Sequence, residues 1–401
     1  MEFLKETVFS KKFDAHEKTE PFLFFFIPGI GDFGLTGFDP WFWGQLLTLV
    51  ISQSLVNLLC AIIVYKIIFL NQGTSKALLT GYGLICPLLL VLPFQIITIL
   101  ELRNPTLMMA SAAGPSLLCW RTFEAMYGTV PDYASKDLGS YILYFCSTVQ
   151  FDFNAETKEV RRVTWRSLFQ RKLVFAWLFL QMTIMNSVLL SRNFQIFPMD
   201  RNTWTSLFSW RSLANNYIMA FHTSVSLEIG AAGIALGISM LSGIETMDLN
   251  ISPLTTSTSP SDFWGNRWTR VVSSALKRGV FVPLRKQGIS RPVAALATFV
   301  ASGLLHEYLL LVITYKQPAA DLNVAGSHLA FFIWNGVVLG IDHMLRGNKI
   351  VDALSKALPG RIRSFLVVLT VLPLAHLFTQ VYVDVGFYTA FSRGFPRIVK
   401  L

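Results

Sequence analysis

The sequence predicts an all-α membrane protein, a polytopic bundle of about seven to nine transmembrane helices. Of its 401 residues, 53% are hydrophobic and only 14% are charged, against about 25% charged residues in an average soluble domain. The mean hydropathy is +0.50. Several stretches of roughly 20 residues carry no charge, which is the length that a helix needs to cross a hydrocarbon core about 30 Å thick. A water-soluble globular domain is therefore excluded.

Seven candidate spans follow from length, lack of charge and flanking polar residues. They are residues 44–70, 77–100, 172–191, 216–242, 292–314, 325–345 and 364–384. Two shorter apolar pieces, 105–120 and 140–153, are either one further crossing or tilted, interfacial helices, because Gly114 and Pro115 interrupt the first. We expect residues 44–401 to form a single membrane domain.

Residues 1–43 are expected to form a cytosolic or interfacial segment. Lysines and acidic residues are interleaved through Met1–Glu20, whereas a signal peptide has a basic start followed at once by an apolar core. The stretch Pro21–Trp43 is rich in aromatic residues, Gly and Pro, which favours an interfacial entry over a regular helix. Trp41 and Trp43 would then lie at the level of the lipid headgroups.

Basic residues are concentrated in the loops between spans. The three clusters lie within 161–172, 267–291 and 346–363. Two spans separate each cluster from the next, so all three are expected on one face, and the positive-inside rule makes that face cytosolic. The formal charge of +10 therefore does not indicate nucleic-acid binding. The last span leaves Arg393, Arg397 and Lys400 on the other face, and a missed or extra crossing near the end stays open.

Span 292–314 contains His306 in an otherwise apolar helix, where ionisable groups are costly and indicate function. The histidine lies 14 residues after Pro292, or ~21 Å along the helix, well inside the bilayer. Ser302 and Gly303 allow another helix or a ligand to approach closely on the preceding turn. A histidine shielded from water can take a proton from an alcohol. The alternative is a neutral imidazole hydrogen-bonded to a neighbouring helix.

Other ionisable residues in the spans more often serve packing. Glu307 points roughly 100° away from His306 around the helix, so we expect an orienting or structural partner. Hydrogen bonds to neighbouring helices are the expected role of the remaining candidates, His222, Glu228, His328, His343 and His376.

A second constellation, residues 259–270, lies directly before the histidine span. Its tryptophans and arginines form an aromatic, basic surface, which by itself indicates an interfacial helix. The basic residues that follow suit the phosphates of a soluble cofactor with a nucleotide 3′-phosphate and a pyrophosphate. The candidate cofactor-binding residues are Trp264, Arg267, Trp268, Arg270, Lys277 and Arg278.

The pair SPSDFWGNRW (259–268) and SGLLHE (302–307) resembles the signature of wax-synthase-like proteins in the membrane-bound O-acyltransferase superfamily. The resemblance is strongest over 259–345. Within the superfamily, the sequence is most similar to fungal acetyltransferases that act on terpenoid or meroterpenoid alcohols. It implies a helix bundle with an internal tunnel, acyl transfer from acyl-CoA to a hydroxyl, and His306 as the catalytic base.

The resemblance also implies a second catalytic residue, an Asn or Asp in the upstream tryptophan motif. Plant wax synthases end this motif in Trp-Asn, whereas Thr269 follows Trp268 here. The second role therefore falls to Thr269, Asn266 or Asp262.

We accordingly expect transfer of an acyl group, acetyl first of all, from acyl-CoA to a terpenoid or meroterpenoid hydroxyl in secondary-metabolite biosynthesis. The alternative is a long-chain acyl-CoA:alcohol acyltransferase, a wax ester synthase. A transporter with His306, Glu307 and Glu228 as a relay is the competing class, but the sequence lacks the symmetry of inverted repeats. A membrane-embedded terpene cyclase would need more carboxylates than the spans offer.

The expected partners are acyl-CoA as co-substrate, a lipophilic alcohol and the lipid bilayer, with no metal and no nucleic acid. The endoplasmic reticulum membrane is the compartment that the resemblance implies, and the sequence carries no other address signal.

Overall fold

The computed structural model describes residues 8–9, 20–154, 156–157, 159–198, 208–316 and 325–400. Most of the charged N-terminal stretch lies outside the described residues, as do 199–207 and 317–324. The described residues are mainly helical, which confirms the predicted all-α membrane bundle.

The described residues form seventeen α-helices and three strands. The helices are α1 Pro40–Ile63, α2 Ser75–Thr80, α3 Cys86–Leu100, α4 Pro105–Met126, α5 Leu138–Cys146, α6 Trp165–Leu190, α7 Trp210–Ser242, α8 Pro253–Thr256, α9 Pro260–Asp262, α10 Arg270–Leu276, α11 Val282–Lys286, α12 Arg291–Thr314, α13 Ser327–Leu345, α14 Lys349–Ala357, α15 Gly360–Val371, α16 Ala375–Asp384 and α17 Phe387–Ser392. The strands are β1 Pro21–Ile27, β2 Gly31–Thr36 and β3 Arg397–Lys400. Wider, π-helical turns extend or join several helices at Val64–Ile68, Gly81–Ile85, Phe263–Arg267 and Lys277–Phe281.

Six helices of the described chain are long and apolar enough to cross a bilayer, and a bent pair makes a seventh crossing if it counts as one. They are Pro40–Asn71, Ser75–Leu100, α6, α7, α12 and α13, with α15 and α16 as the bent pair. Apolar side chains such as Leu47, Ile51 and Leu55 are largely exposed on their outer faces. Because only apolar, internally hydrogen-bonded surfaces are stable in hydrocarbon, these faces are the ones that contact lipid.

Helix α4 runs the length of the bundle, as in the first of the two alternatives that the sequence left open for this region. Near its start, Thr106 donates to the carbonyl of Phe387, and at its end Met126 accepts from the backbone of Gly73. Its 22 residues therefore run ~33 Å from one end of the bundle to the other. Most of them are buried, and the helix continues through Pro115, which was expected to interrupt it.

The two ends of the bundle differ in what they carry. We call the end with residues 249–286 the motif end and the end with β1–β3 the strand end. The first two basic clusters meet at the motif end, where Val163 donates to the carbonyl of Gly243 and Arg270 donates to that of Leu249. Arg393 and Lys400 lie at the strand end.

Helix α4 also fixes where the N-terminal segment lies. Since it adds one crossing between α3 and α6, the described part of segment 1–43 lies at the strand end, opposite the basic clusters. A cytosolic motif end would thus place the described part of this segment on the other side of the bundle, and the cytosolic or interfacial position of segment 1–43 as a whole stays a prediction. The predicted interfacial position of this segment is compatible with this fold.

The span predicted over 364–384 is not straight, because α15 and α16 meet at an angle of 69°. Pro373 lies in the break, where it lacks a backbone N–H and disfavours helical conformation in the residue before it. Asn216 of α7 donates to the carbonyl of Leu372 at 2.8 Å, and Trp334 of α13 donates to that of Thr370 at 3.1 Å. Neighbouring helices thus satisfy the carbonyls that the break releases.

A three-stranded antiparallel sheet in the order β1-β2-β3 lies at the strand end, where the sequence predicted no strand. Aromatic and branched residues dominate β1, PFLFFFI, and such residues favour extended backbone. Gly29 follows β1 with φ +79°, a conformation that glycine adopts without strain. The sheet and three isolated β-bridges within residues 151–162 and 244–246 are the departures from all-α structure among the described residues.

Helices α12 and α13 pack closely because Gly303 leaves room for Leu329. A Cβ atom at Gly303 would lie 2.8 Å from Cδ1 and 3.0 Å from Cα of Leu329. The sequence predicted that a helix or a ligand approaches here, and it is α13 that does. This approach places α13 beside the turn that precedes His306.

The opposite positions of the N-terminal segment and the motif end predict one-sided labelling. In sealed microsomes, a membrane-impermeant maleimide should label only one of Phe22→Cys and Lys277→Cys before permeabilisation. A cytosolic motif end makes Lys277→Cys the labelled variant. The unmodified chain is the control, since its four cysteines are buried or half-buried. Labelling of both variants in sealed vesicles would contradict the crossing of α4.

Gly303→Ala should lower the free energy of unfolding by about 1–3 kcal/mol, because overpacking forces α13 away from α12. Gly340→Ala on α13 is the matched control, since a Cβ there meets nothing within 4 Å. The measurement is the thermal unfolding midpoint of both variants in detergent. Equal midpoints for the two variants would show that the close approach at Gly303 is not needed.

Candidate acyl-transfer site

The centre of the site is the imidazole of His306, on the sixteenth residue of α12. Its Nδ1 lies 2.8 Å from the carbonyl oxygen of Ser302, one turn earlier. A carbonyl accepts and cannot donate, so Nδ1 carries the proton and the lone pair of Nε2 is available. A histidine in this tautomer can act as a general base through Nε2.

Aromatic rings from two other helices enclose this imidazole. Phe332 of α13 stacks on it with ring centroids 4.5 Å apart, and Phe378 of α16 packs edge-on at 5.1 Å. Phe378 lies on α16, the helix that follows the break. His306 nevertheless remains only half-buried, so part of its surface is accessible.

Polar groups of the motif 259–268 form hydrogen bonds with one another. The carboxylate of Asp262 accepts from Arg267 Nε at 2.6 Å, from the Thr258 backbone at 3.0 Å and from the Asn266 amide at 3.2 Å. Burial by itself raises the pKa of Asp262, but the hydrogen bonds from Arg267 and Thr258 outweigh it and hold that pKa below its usual value. Asp262 is thus an ionised carboxylate at the centre of the turn.

Trp264 connects this motif to the histidine. Its indole N–H donates to Oδ1 of Asn335 on α13 at 2.9 Å, and its ring lies 6.0 Å from that of Phe332, which stacks on His306. Trp268 stacks on the buried Phe263 at 5.4 Å. The tryptophans therefore pack inside the bundle, beside the helices that carry the site.

Thr269 begins α10 with φ +40°, an uncommon conformation for a threonine. Its backbone N–H donates to Oδ1 of Asn250 at 2.8 Å. Within the described residues, the ring contacts of His306 come from Phe332, Phe378 and His328. None comes from residues 262–269, so the second catalytic role of Thr269, Asn266 or Asp262 stays a prediction.

The predicted cofactor-binding cations have different surroundings. Arg267 is paired with Asp262, and Arg278 is paired with the fully buried Glu124 at 3.1 Å. Arg270 approaches the sulfur of Met247 at 4.0 Å and has no acidic partner among the described residues, while Lys277 is exposed. Arg270 and Lys277 are therefore the two whose charges remain for an anionic ligand.

The stretch that holds both motifs matches a known family. Residues 249–334 match the membrane bound O-acyl transferase family. The match contains the tryptophan motif and His306, and it ends at Trp334. It covers about a fifth of the chain.

Relatives with curated names are acyltransferases. The chain is 33% identical over 128 residues to "Probable long-chain-alcohol O-fatty-acyltransferase 9" of Arabidopsis thaliana, covering 30% of this chain and 36% of the relative. It is 27% identical over 154 residues to the long-chain-alcohol O-fatty-acyltransferase of Simmondsia chinensis, covering 36% and 39%. It is 28% identical over 131 residues to acyl-CoA--sterol O-acyltransferase 1 of Arabidopsis thaliana, covering 31% and 36%. In each case the alignment spans less than half of the relative.

These relatives support the wax-synthase-like resemblance. The finer resemblance to fungal terpenoid acetyltransferases has no support among them and stays a prediction. Their names instead favour the alternative of a long-chain acyl donor and alcohol.

Sequence reasoning missed the polar face of α13. His328, Asn335 and Asp342 are spaced seven residues apart, which places them on one side of a helix. His328 contacts the backbone of His306, Asn335 holds Trp264, and Asp342 accepts from Ser261. The regular spacing of these polar residues within a membrane helix is the signal in the sequence from which this face could have been predicted.

Trp264→Phe should lower the free energy of unfolding by about 1–3 kcal/mol, because it leaves the buried Oδ1 of Asn335 without its donor. In a double-mutant cycle with Asn335→Leu, we expect a coupling of about 0.5–3 kcal/mol. Trp268→Phe is the control, since its ring has no described bond to Asn335. Unfolding midpoints in detergent give the values, and equal coupling for both tryptophans would contradict the assigned bond.

Proposed function

We propose that this protein is a membrane-bound O-acyltransferase that moves an acyl group from acyl-CoA to the hydroxyl of a lipophilic alcohol. The observation that carries the proposal is the imidazole of His306. It lies inside a membrane helix with Nε2 free to accept a proton, within the stretch that matches the acyltransferase family. The alcohol and the acyl chain would meet at this ring.

In the proposed reaction, Nε2 of His306 removes the proton of the acceptor hydroxyl. The alcohol oxygen attacks the thioester carbonyl, the C–S bond breaks, and the imidazolium returns the proton to the departing thiolate, so that ester and CoA-SH are the products. The bond from Nδ1 to Ser302 stabilises the imidazolium. Phe332 and Phe378 keep water from the ring, which protects the thioester from hydrolysis.

The motif end would hold the CoA part of the donor. Its phosphates need cations, and Arg270 and Lys277 have charge available there. Arg267 and Arg278 are compensated by carboxylates, so they would contribute chiefly by shaping the motif. Trp264 and Trp268 pack against Phe263, and this packing would support the residues that hold the CoA part. A group from residues 262–269 remains the proposed stabiliser of the oxyanion.

Long-chain substrates are the first choice for both donor and acceptor, because the named relatives act on long-chain alcohols and sterols. Acetyl transfer to a terpenoid alcohol, favoured by the sequence motif alone, is the second. The endoplasmic reticulum membrane is the proposed compartment.

The transporter hypothesis requires a relay through His306, Glu307 and Glu228, and the contacts of these residues do not support one. Glu307 accepts a hydrogen bond from the backbone of Leu329 at 3.0 Å. Within the described residues, no contact connects Glu228 with His306. The three residues therefore do not form a connected path.

His306→Ala should lower ester formation by about 10²–10⁴-fold, the range for loss of a general base. Microsomes with the wild type, His306→Ala or the control His343→Ala are incubated with radiolabelled palmitoyl-CoA or acetyl-CoA. Acceptors are a long-chain alcohol, a sterol and a terpenoid alcohol, each tested alone.

The product identifies the donor class and the acceptor class. Long-chain ester from the wild type and from His343→Ala, but not from His306→Ala, supports the proposal. Near-normal activity of His306→Ala would remove it as the base. Absence of ester with every pair of substrates would overturn the proposed function.

A further inference from the structure

His328 of α13 connects the two helices that surround His306. Its Nδ1 lies 3.1 Å from the carbonyl oxygen of His306, and its Nε2 lies 3.2 Å from that of Phe378. The side chain is fully buried. A neutral ring donates to one of these carbonyls and a protonated ring to both. The two residues it contacts are the base itself and an aromatic residue that encloses the base.

A second bond beside it runs in the same direction, from a donor on α13 to an acceptor on α12. Glu307 of α12 accepts from the backbone N–H of Leu329 at 3.0 Å. This N–H belongs to the first turn of α13, where backbone donors lack partners within the helix. Residues 306 and 307 of α12 therefore accept hydrogen bonds from residues 328 and 329 of α13. Two adjacent bonds of this kind fix the height of one helix against the other.

The ring of His328 is also held in orientation. Tyr382 stacks on it at 5.1 Å with an interplanar angle of 21°, and Phe378 lies 4.7 Å away on α16. Rotation of the ring would break contacts with α16 as well as both polar contacts. His328 thus has one defined position relative to the backbone of His306.

We propose that His328 is a positioning residue for the catalytic base. With the ring proton on Nδ1, its hydrogen bond to the carbonyl of His306 holds the turn from Ser302 to His306 in place, and its ring contact with Phe378 holds the aromatic side chain that packs on the imidazole. Proton transfer and attack need reacting atoms about 3–3.5 Å apart, and a displacement of 1 Å can lower turnover by about 100-fold. This inference rests on the proposed acyltransferase function.

The test uses amides that replace one ring nitrogen at a time. The Asn side chain places an N–H where Nδ1 lies, and the Gln side chain places one where Nε2 lies. His328→Asn thus keeps a donor for the carbonyl of His306, His328→Gln offers a donor to the carbonyl of Phe378 instead, and His328→Phe offers neither. His343→Phe at the other end of α13 is the control.

We expect His328→Phe to lower kcat by about 10–100-fold while the KM for acyl-CoA stays within about twofold. His328→Asn should recover more of kcat than His328→Gln, and His343→Phe should match the wild type. Steady-state ester formation by the full-length protein in detergent gives both constants. Thermal unfolding midpoints of the same samples report stability.

Three results would overturn the inference. One is wild-type kcat in His328→Phe, and another is a rise in KM with kcat unchanged. The third is a kcat that follows the unfolding midpoint across the variants, with Gln equal to or better than Asn, which marks a purely structural role. If His328→Phe does not fold, the inference is tested by comparing the kcat of His328→Asn with that of His328→Gln. No ester from the wild type overturns the proposed function and this inference with it.

Discussion

The polar face of α13 is the constraint on which the site depends. His328, Asn335 and Asp342 lie on one side of this helix and contact, in turn, the backbone of α12 and α16, the indole of Trp264, and the hydroxyl of Ser261. Each unsatisfied polar group in hydrocarbon costs several kcal/mol, so these contacts fix both the rotation and the height of α13. The packing of Phe332 on His306 follows from that position.

Compensated charges organise the motif end in the same way. Glu124 on α4 pairs with Arg278, and Glu245 after α7 pairs with Arg171 of α6. Each pair joins segments that are far apart in sequence, and breaking a buried pair by removing one partner is strongly destabilising. The basic character of this end therefore has two sources. Some cations hold the fold together through ion pairs, and Arg270 has no acidic partner among the described residues.

Hydropathy predicted the long spans and the position of His306 within them, because lipid-facing helices must be apolar along most of their length. It left the crossing of α4 open beside a tilted, interfacial helix, since Glu124 and Arg121 lower its hydropathy while their partners lie on other elements. It did not predict the break at Pro373, because the amide that satisfies Leu372 comes from Asn216 of α7. The contacts of Asn335 and His328 likewise involve residues from other helices, and a chain examined one span at a time does not reveal them.

The sheet at the strand end has a consequence for biogenesis. Thr36 of β2 bonds to Arg397 of β3 across 361 positions of sequence, so the two strands leave the ribosome far apart in time. At about 5–20 residues per second, the interval is roughly 20–70 s. During that interval β2 has one unpaired edge next to the aromatic strand β1, and such edges recruit other chains. The nascent hairpin must therefore be sheltered, by the lipid interface or by a chaperone, until translation reaches β3.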